Sequence, residues 1–597
     1  MKFKSHISLG ALALSLSAST VMAGDDRNPP SQALIDLMNP ALLTSTICGS
    51  DGKGVQMAKG VQVASLGAFL ASLSETQATD IPLFEGLGDW SYAVSTDNAL
   101  AQTLFDQGFK LSYNFNHLEA IRAFRAAQKV DPLCAMCYWG EAWALGPNIN
   151  APMDPSANAP AYAASQKALA LIENANEKEA DLIQALATRY AADPGDDRSA
   201  LDQAFADAMK AVAKKYPDDD YIGALYVEAA MDTTPWDYWE ENGYTPRPKV
   251  ADAILKVEEI LERNPTHPGA IHLYIHLTEA SSTPHKAERH ADRLAALMPG
   301  AGHLVHMPSH TYYRIGRYVD SLKTNIHAVK ADEDYLALVD AKGLYPLGYY
   351  PHNVHFVLVS AVMAGDVDAA LAHAKKLDEV LPIEFASAQP WVQPIKVAPY
   401  FAYAKLAEPE MMLSQPDPGD SLPFIKAIWH YARGEAFIRQ GDYDSARTEA
   451  DALNTLLTEA DFSDMIAGNV PATDILSIAE NSLRARLAQE KGDMERAITL
   501  WETAAQIQEN LFYTEPPFWY YPVRQSLGAA YLMNDEPAKA IEAFQAALVE
   551  APNNGWTIYG LAEAYDRAEQ SEMADALRTH MATTWVGGHD MLSIENL

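Results

Sequence analysis

VRQSLGAAYLMNDEPAKAIEAFQAALVEAPNN, residues Val523 to Asn554, carries small and apolar residues at helical spacing on both sides of the break NDEP. Gly528 and Ala540 are small enough to let two antiparallel helices approach closely. Tyr531 and Phe544 are large enough to fill the seam between them, and Pro552 stops the second helix. One such hairpin cannot bury its own apolar face, so it needs neighbours of the same kind. The sequence supplies them. Leu561, Ala562, Tyr565 and Ala574 repeat the pattern 34 residues further on, and Gly108, Ala120, Phe124, Ala127 and Pro132 repeat it near the front. Gly434, Ala446 and Ala450 carry it again, followed more weakly by Ala485, Ala497, Trp501 and Ala504.

This spacing resembles the tetratricopeptide repeat (TPR). The resemblance implies an all-α fold: a right-handed solenoid of antiparallel helix pairs, with recognisable or degenerate units over most of 98–582. The chain as a whole is similar to exported bacterial TPR proteins carrying HPGAIHLYIHLTEAS (His267–Ser281) and AGHLVHMPSHTYYRIGRY (Ala301–Tyr318), from about Gly86 to the C-terminus. That likeness implies the fold and carries no reaction with it. The expected organisation is a signal peptide at 1–23, a loop-rich arm or cap at 24–97, and N-terminal repeats at 98–232 interrupted by the Pro/Asn-rich Gly146–Pro160. An aromatic-rich insertion at 233–250 follows, then His-rich central repeats at 251–380 and C-terminal repeats at 381–597.

Residues 1–23 have the form of a secretory signal: Lys2 and Lys4, the apolar run ISLGALALSLSAST, and Val21-Met22-Ala23 before Gly24. Cleavage between Ala23 and Gly24 makes a periplasmic or secreted protein, and no other stretch is long and apolar enough to insert in a membrane. Loss of Lys2 and Lys4 takes the formal charge from −35 to −37, a surface that repels nucleic acid and anionic lipid. Of the three cysteines, Cys134 and Cys137 form a CxxC. Tyr138 stands where covalent haem attachment needs a histidine, and the surroundings are helical rather than βαβ. A local disulfide or a pair of buried thiols is therefore expected, with Cys48 left over.

Eleven of the 17 histidines fall between His267 and His355. In a TPR frame the central units begin at Pro268, Gly302 and Pro351, and the second, fifth, ninth and twelfth positions of each first helix line the concave groove. His272, His276, Glu279, His303, His306, His310, His352 and His355 occupy such positions. Offsets of three, four and seven place them on one helical stripe. The other four histidines of the segment, His267, His285, His290 and His327, are expected at the surface. Glu228 and Asp232 belong to the same groove wall in the preceding unit, and Tyr312, Tyr313 and Arg314 follow the histidine run as further candidates for ligand contact.

Clustered neutral imidazoles are the donor set of a transition metal, with zinc, iron and copper the candidates. A metal-free groove binding a peptide or protein partner is the alternative, and a metal-dependent enzyme the second alternative. The sequence holds no nucleophile elbow, no phosphate-cradling Gly-rich loop and no HExxH, so neither nucleotide nor haem is expected.

Overall fold

The computed structural model describes Leu70, Leu73 and residues 81–597 apart from 196, 340, 342 and 343. The expected signal peptide, its cleavage point, Cys48 and most of the 24–97 arm lie outside the described residues. Among the described residues the chain is helical, with no strand and two isolated bridges, Asn148–Ala151 and Trp239–Pro246, in the two insertions. It is a TPR-type helical solenoid.

The glycines show why the repeat has its spacing. A Cβ on Gly108 would lie 2.8 Å from the Phe124 ring, and one on Gly140 would lie 2.4 Å from it. Gly528 and Gly560 stand in the same relation to Phe544, at 2.8 and 2.4 Å. One buried ring thus fills the space between the first helix of its own unit and the first helix of the next. The helix starts are set locally. Asn98, Asp366, Asp442 and Asp493 accept from the first-turn amides of their helices, and Asn176 forms a capping box with Glu179.

Three central hairpins position the histidines. Helix Pro268–Glu279 pairs with Glu288–Leu297. The next first helix is broken into Gly302–His306 and Pro308–Arg314 and packs on Tyr318–Leu338, while Tyr350–Ala364 packs on Val367–Val380. These starts match the frame read from the sequence to within a residue.

The solenoid then folds back on itself. Trp556 Nε1 donates to Val362 O at 3.1 Å, and Val586 N donates to Ala364 O at 3.0 Å. The turns after the central first helices are shaped to receive this contact. Gly316 has φ 77° with Pro552 O only 2.0 Å from a Cβ position, and Gly365 has φ 82° with the Trp585 ring at 2.4 Å, conformations and clearances that only glycine meets. The returning repeats carry the connection between helices Met494–Glu509 and Val523–Met533 over the histidine face.

Some expectations are corrected here. His267 and His290 are buried, 1% and 2% exposed, whereas His285 and His327 are exposed. His267 Nδ1 caps its helix by accepting from Ala270 N at 3.1 Å, beneath Tyr113 and Tyr221, and His290 packs against Tyr274. The described end of the arm is pinned: the amides of Phe84, Tyr92 and Val94 donate to Gln107, Asp106 and Gln102. Cys134 and Cys137 are joined as a disulfide at the start of helix Ala135–Ala144.

Replacing a helical glycine ordinarily stabilises a helix, by about 1 kcal/mol for Ala. Gly140→Val should do the opposite, because its side chain meets the Phe124 ring; a loss of about 1–3 kcal/mol is expected in the urea midpoint.

Candidate metal centre

The three central first helices bring six imidazoles into two groups. His272, His276 and His303 form one triad and His306, His310 and His352 the other, with the candidate ligand atoms of each triad within 4.8 Å of one another. His272 and His276 come from helix Pro268–Glu279. The break at Met307–Pro308 lets one repeat serve both groups, with His303 turned to the first triad and His306 and His310 to the second. His352 is supplied by helix Tyr350–Ala364. All but His352 are buried.

Glu279 joins the triads without belonging to either. It is 0% exposed. Its Oε1 accepts from His276 Nδ1 at 2.6 Å, and its Oε2 accepts from His310 Nδ1 at 2.6 Å and from Tyr513 Oη at 3.0 Å. Burial alone would raise its pKa, but His310 and His276 outweigh this and hold the carboxyl well below its usual range.

These partners fix the tautomers. A carboxylate only accepts, so His276 and His310 carry a hydrogen on Nδ1. His306 Nδ1 lies 2.6 Å from Asn325 Oδ1. The Asn325 amide cannot be turned around, because its Nδ2 donates to Ser321 O at 2.8 Å, so His306 too is protonated on Nδ1. The Nε2 atoms of His306 and His310 then face each other as lone pairs. His306 Nε2 and His310 Nε2 are 2.7 Å apart, and His352 Nε2 is 3.2 Å from His306 Nε2.

Facing lone pairs at that distance repel unless a positive charge lies between them. A proton on His310 can fill the role: burial lowers its affinity for that proton, but Glu279 raises it by more, and the balance lies above the ordinary value. A metal ion fills the same role by displacing the proton. Ligand nitrogens around a tetrahedral ion with bonds of about 2.0–2.1 Å are roughly 3.3 Å apart, so the separations of His306 from His310 and from His352 need only slight widening.

The first triad is less fully committed: His303 Nδ1 is buried without a partner, so no outer acceptor holds the His303 hydrogen on that side. His272 Nε2 and His303 Nε2 are 3.1 Å apart, and His276 Nε2 is buried without a partner. His272 also hydrogen-bonds the Tyr113 backbone. Burial first, then the neighbouring imidazoles, push the pKa values of His272, His303, His306 and His352 well below the usual histidine value. They are therefore neutral, the state in which imidazole binds metal.

The remaining candidates go elsewhere. His355 joins neither triad; its Nε2 is 2.7 Å from Tyr520 Oη. Glu228 and Asp232 are buried around Arg189, whose guanidinium bonds Asp232 Oδ2 at 2.6 Å and Asp202 Oδ1 at 3.2 Å. Burial and the nearby Asp232 push Glu228 up to about 8. Tyr312 donates to Asp292 at 2.8 Å, and Tyr313 packs between Tyr318 and Phe356. Arg314 reaches the backbone beneath the site. It bonds Glu279 O at 2.8 Å and Ser281 O at 3.1 Å, tying down the end of the Glu279 helix, and lies over the Tyr513 ring.

Several site residues have no place in the histidine pattern. Phe115, at φ 54° in the turn after helix Ala99–Tyr113, sets its ring 4.6 Å from His272 and stacks on His303 at 5.1 Å. Trp236, from the aromatic insertion, meets His276 edge-on at 5.4 Å. The Tyr513 hydroxyl lies between Glu279 and Glu515, 3.0 and 2.7 Å from their oxygens, and Glu515 Oε2 is buried without a partner. Two had a signal in the sequence: Trp236, whose aromatic-rich insertion could lie over the groove, and Asn325, which with Ser321, one turn away, forms a polar pair on a packed helix.

No protein-family model matches the chain, and no curated protein matches it. Among solved structures, the human IFIT1 dimer with PPP-AAAA aligns with 92% of this chain and 99% of its own, at 9% identity and TM-score 0.27. Yeast Tom70 aligns with 81% of this chain and 92% of its own, at 13% identity and TM-score 0.28. Cut9 of the APC/C hetero-tetramer Cut9–Hcn1 aligns over 81% and 87%, at 14% identity and TM-score 0.27.

Proposed function

We propose that this chain is a metal-binding solenoid whose two histidine triads each hold a transition-metal ion. The observation that carries the reading is the convergence of His306 and His310 Nε2 lone pairs at 2.7 Å, with the hydrogen of each ring committed on its far side. Ordinary buried histidines satisfy one another by pairing a donor with an acceptor; this pair is oriented so that it needs a cation. Glu279 and Asn325 supply the outer hydrogen bonds that orient metal-bound imidazoles. The Cys134–Cys137 disulfide supports the export that the N-terminus suggests, so that the metal is acquired in an oxidising compartment.

A polypeptide bound by the repeat scaffold is the second reading. A peptide laid along the histidine stripe would have to displace Tyr513 and Glu515 from Glu279 and His310, so a partner is better accommodated on another face of the solenoid.

Elemental analysis of protein purified without a histidine tag or chelator should find up to two ions of zinc, copper or iron per chain. His306→Ala/His352→Ala should lose one ion and keep the other, and His276→Ala/His306→Ala/His310→Ala should lose both while its helical circular dichroism persists. A metal-free parent that takes up none of these ions would sink the proposal. In chelator competition, Glu279→Gln should weaken binding about 10–100-fold, because it removes the acceptor shared by one imidazole of each triad.

A further inference from the structure

Between the triads and the returning C-terminal segment lies a cavity of about 160 Å³. His276 and His303 of the first triad and His310 and His352 of the second border it, so both candidate metal positions open onto one space. Aromatic rings form much of its other wall: Trp236, Tyr349, Trp391, Phe518 and Tyr520. Cavities of this size and apolar character accept a benzene ring. Glu515 lines the same space, with Oε2 buried and unpaired, an acceptor placed for a hydroxyl on such a ring.

The donor set narrows the metal. Both Glu279 oxygens are occupied by His276, His310 and Tyr513, which leaves six neutral nitrogens as ligands. Hard oxygen-seeking ions are poorly served, and so is non-haem iron, which takes two histidines and a carboxylate. Affinity separates copper from zinc. A given set of nitrogen donors binds copper(II) more tightly than zinc. Copper, unlike zinc, enters as a monovalent ion and then has an electron to give.

We infer that the triads hold a pair of copper ions that pass electrons from a small aromatic 1,2-diol in the adjoining cavity to dioxygen. The inference rests on the metal reading above. Each diol loses two electrons and the protons of its two O–H groups and becomes an ortho-quinone. Two diols together supply four electrons and four protons, which cleave the O–O bond of one dioxygen and form two waters. The aromatic walls hold the ring flat, and Glu515 accepts a hydrogen bond from the substrate hydroxyl.

The test uses the full-length protein loaded anaerobically with copper(I), then exposed to air with and without benzene-1,2-diol. Two copper ions per chain should bind. After oxidation they should show no mononuclear copper(II) signal in electron paramagnetic resonance, since ions of a coupled pair cancel. Dioxygen should be consumed at one molecule per two diols. Glu515→Gln, which preserves the bond to Tyr513 and replaces the free acceptor with a donor, should keep two copper ions and raise KM for the diol at least tenfold. Copper bound as two magnetically isolated ions, a copper pair inert toward the diol, or selective retention of zinc would each overturn the inference and leave the metal site standing. Failure to take up any metal overturns both.

Discussion

The Glu279 carboxylate is the constraint on which the site depends. It lies at the C-terminal end of a helix, a poor place for a negative charge, and is fully buried. It is held there because both oxygens are occupied by N–H and O–H donors and because Arg314 secures the carbonyls around it. By taking the Nδ1 hydrogen of one histidine from each triad, it turns the opposite nitrogens toward two common points. The carboxylate orients the imidazoles and is not itself placed as a ligand. That division explains how a site with one glutamate at its centre can offer two all-nitrogen pockets.

The solenoid makes this arrangement possible through its own geometry. A stack of similar helices repeats the same groove positions at the spacing of packed neighbours, roughly 8–10 Å, and imidazoles at those positions bridge the remaining distance. Two departures from regular repetition complete the site. The break at Met307–Pro308 changes the direction of the histidine stripe midway, and the docking of Trp556 and Trp585 onto the central repeats returns the chain over it. An open groove thereby becomes a partly covered cavity, with Tyr513 and Glu515 in its cover.

The repeat and the histidine stripe were legible because both are local patterns. Gly528 and Phe544 act across one hairpin, and His303, His306 and His310 share one helical face. The division into two triads was not legible, because His272 meets His303, and His306 meets His352, only once three hairpins are packed. The covering residues lay further out of reach: Tyr513 is more than 230 residues from Glu279, and nothing in a repeat frame marks a connecting loop as the piece that returns. Groove positions also misled. Glu228 and Asp232 fit the frame, but Arg189 claims Asp232, since a buried cation must be paired before any groove is furnished, and Glu228 is buried beside that pair. His267 and His290 failed for a related reason: off-groove positions in a solenoid lie between hairpins as often as on the surface.

The central claim is that hydrogen bonds to Glu279 and Asn325 commit the Nδ1 hydrogens, so that the Nε2 atoms of His306 and His310 face one another across a shared cation, a proton in the metal-free protein. Nitrogen-15 NMR of histidine-labelled, metal-free protein near neutral pH tests it directly, with single-histidine variants to assign the signals. The account predicts that His276 and His306 are neutral, protonated on Nδ1 and bare on Nε2. Protonation of His306 on Nε2 with Nδ1 bare would make its contact with His310 an ordinary hydrogen bond, and the structure would then hold no metal centre there.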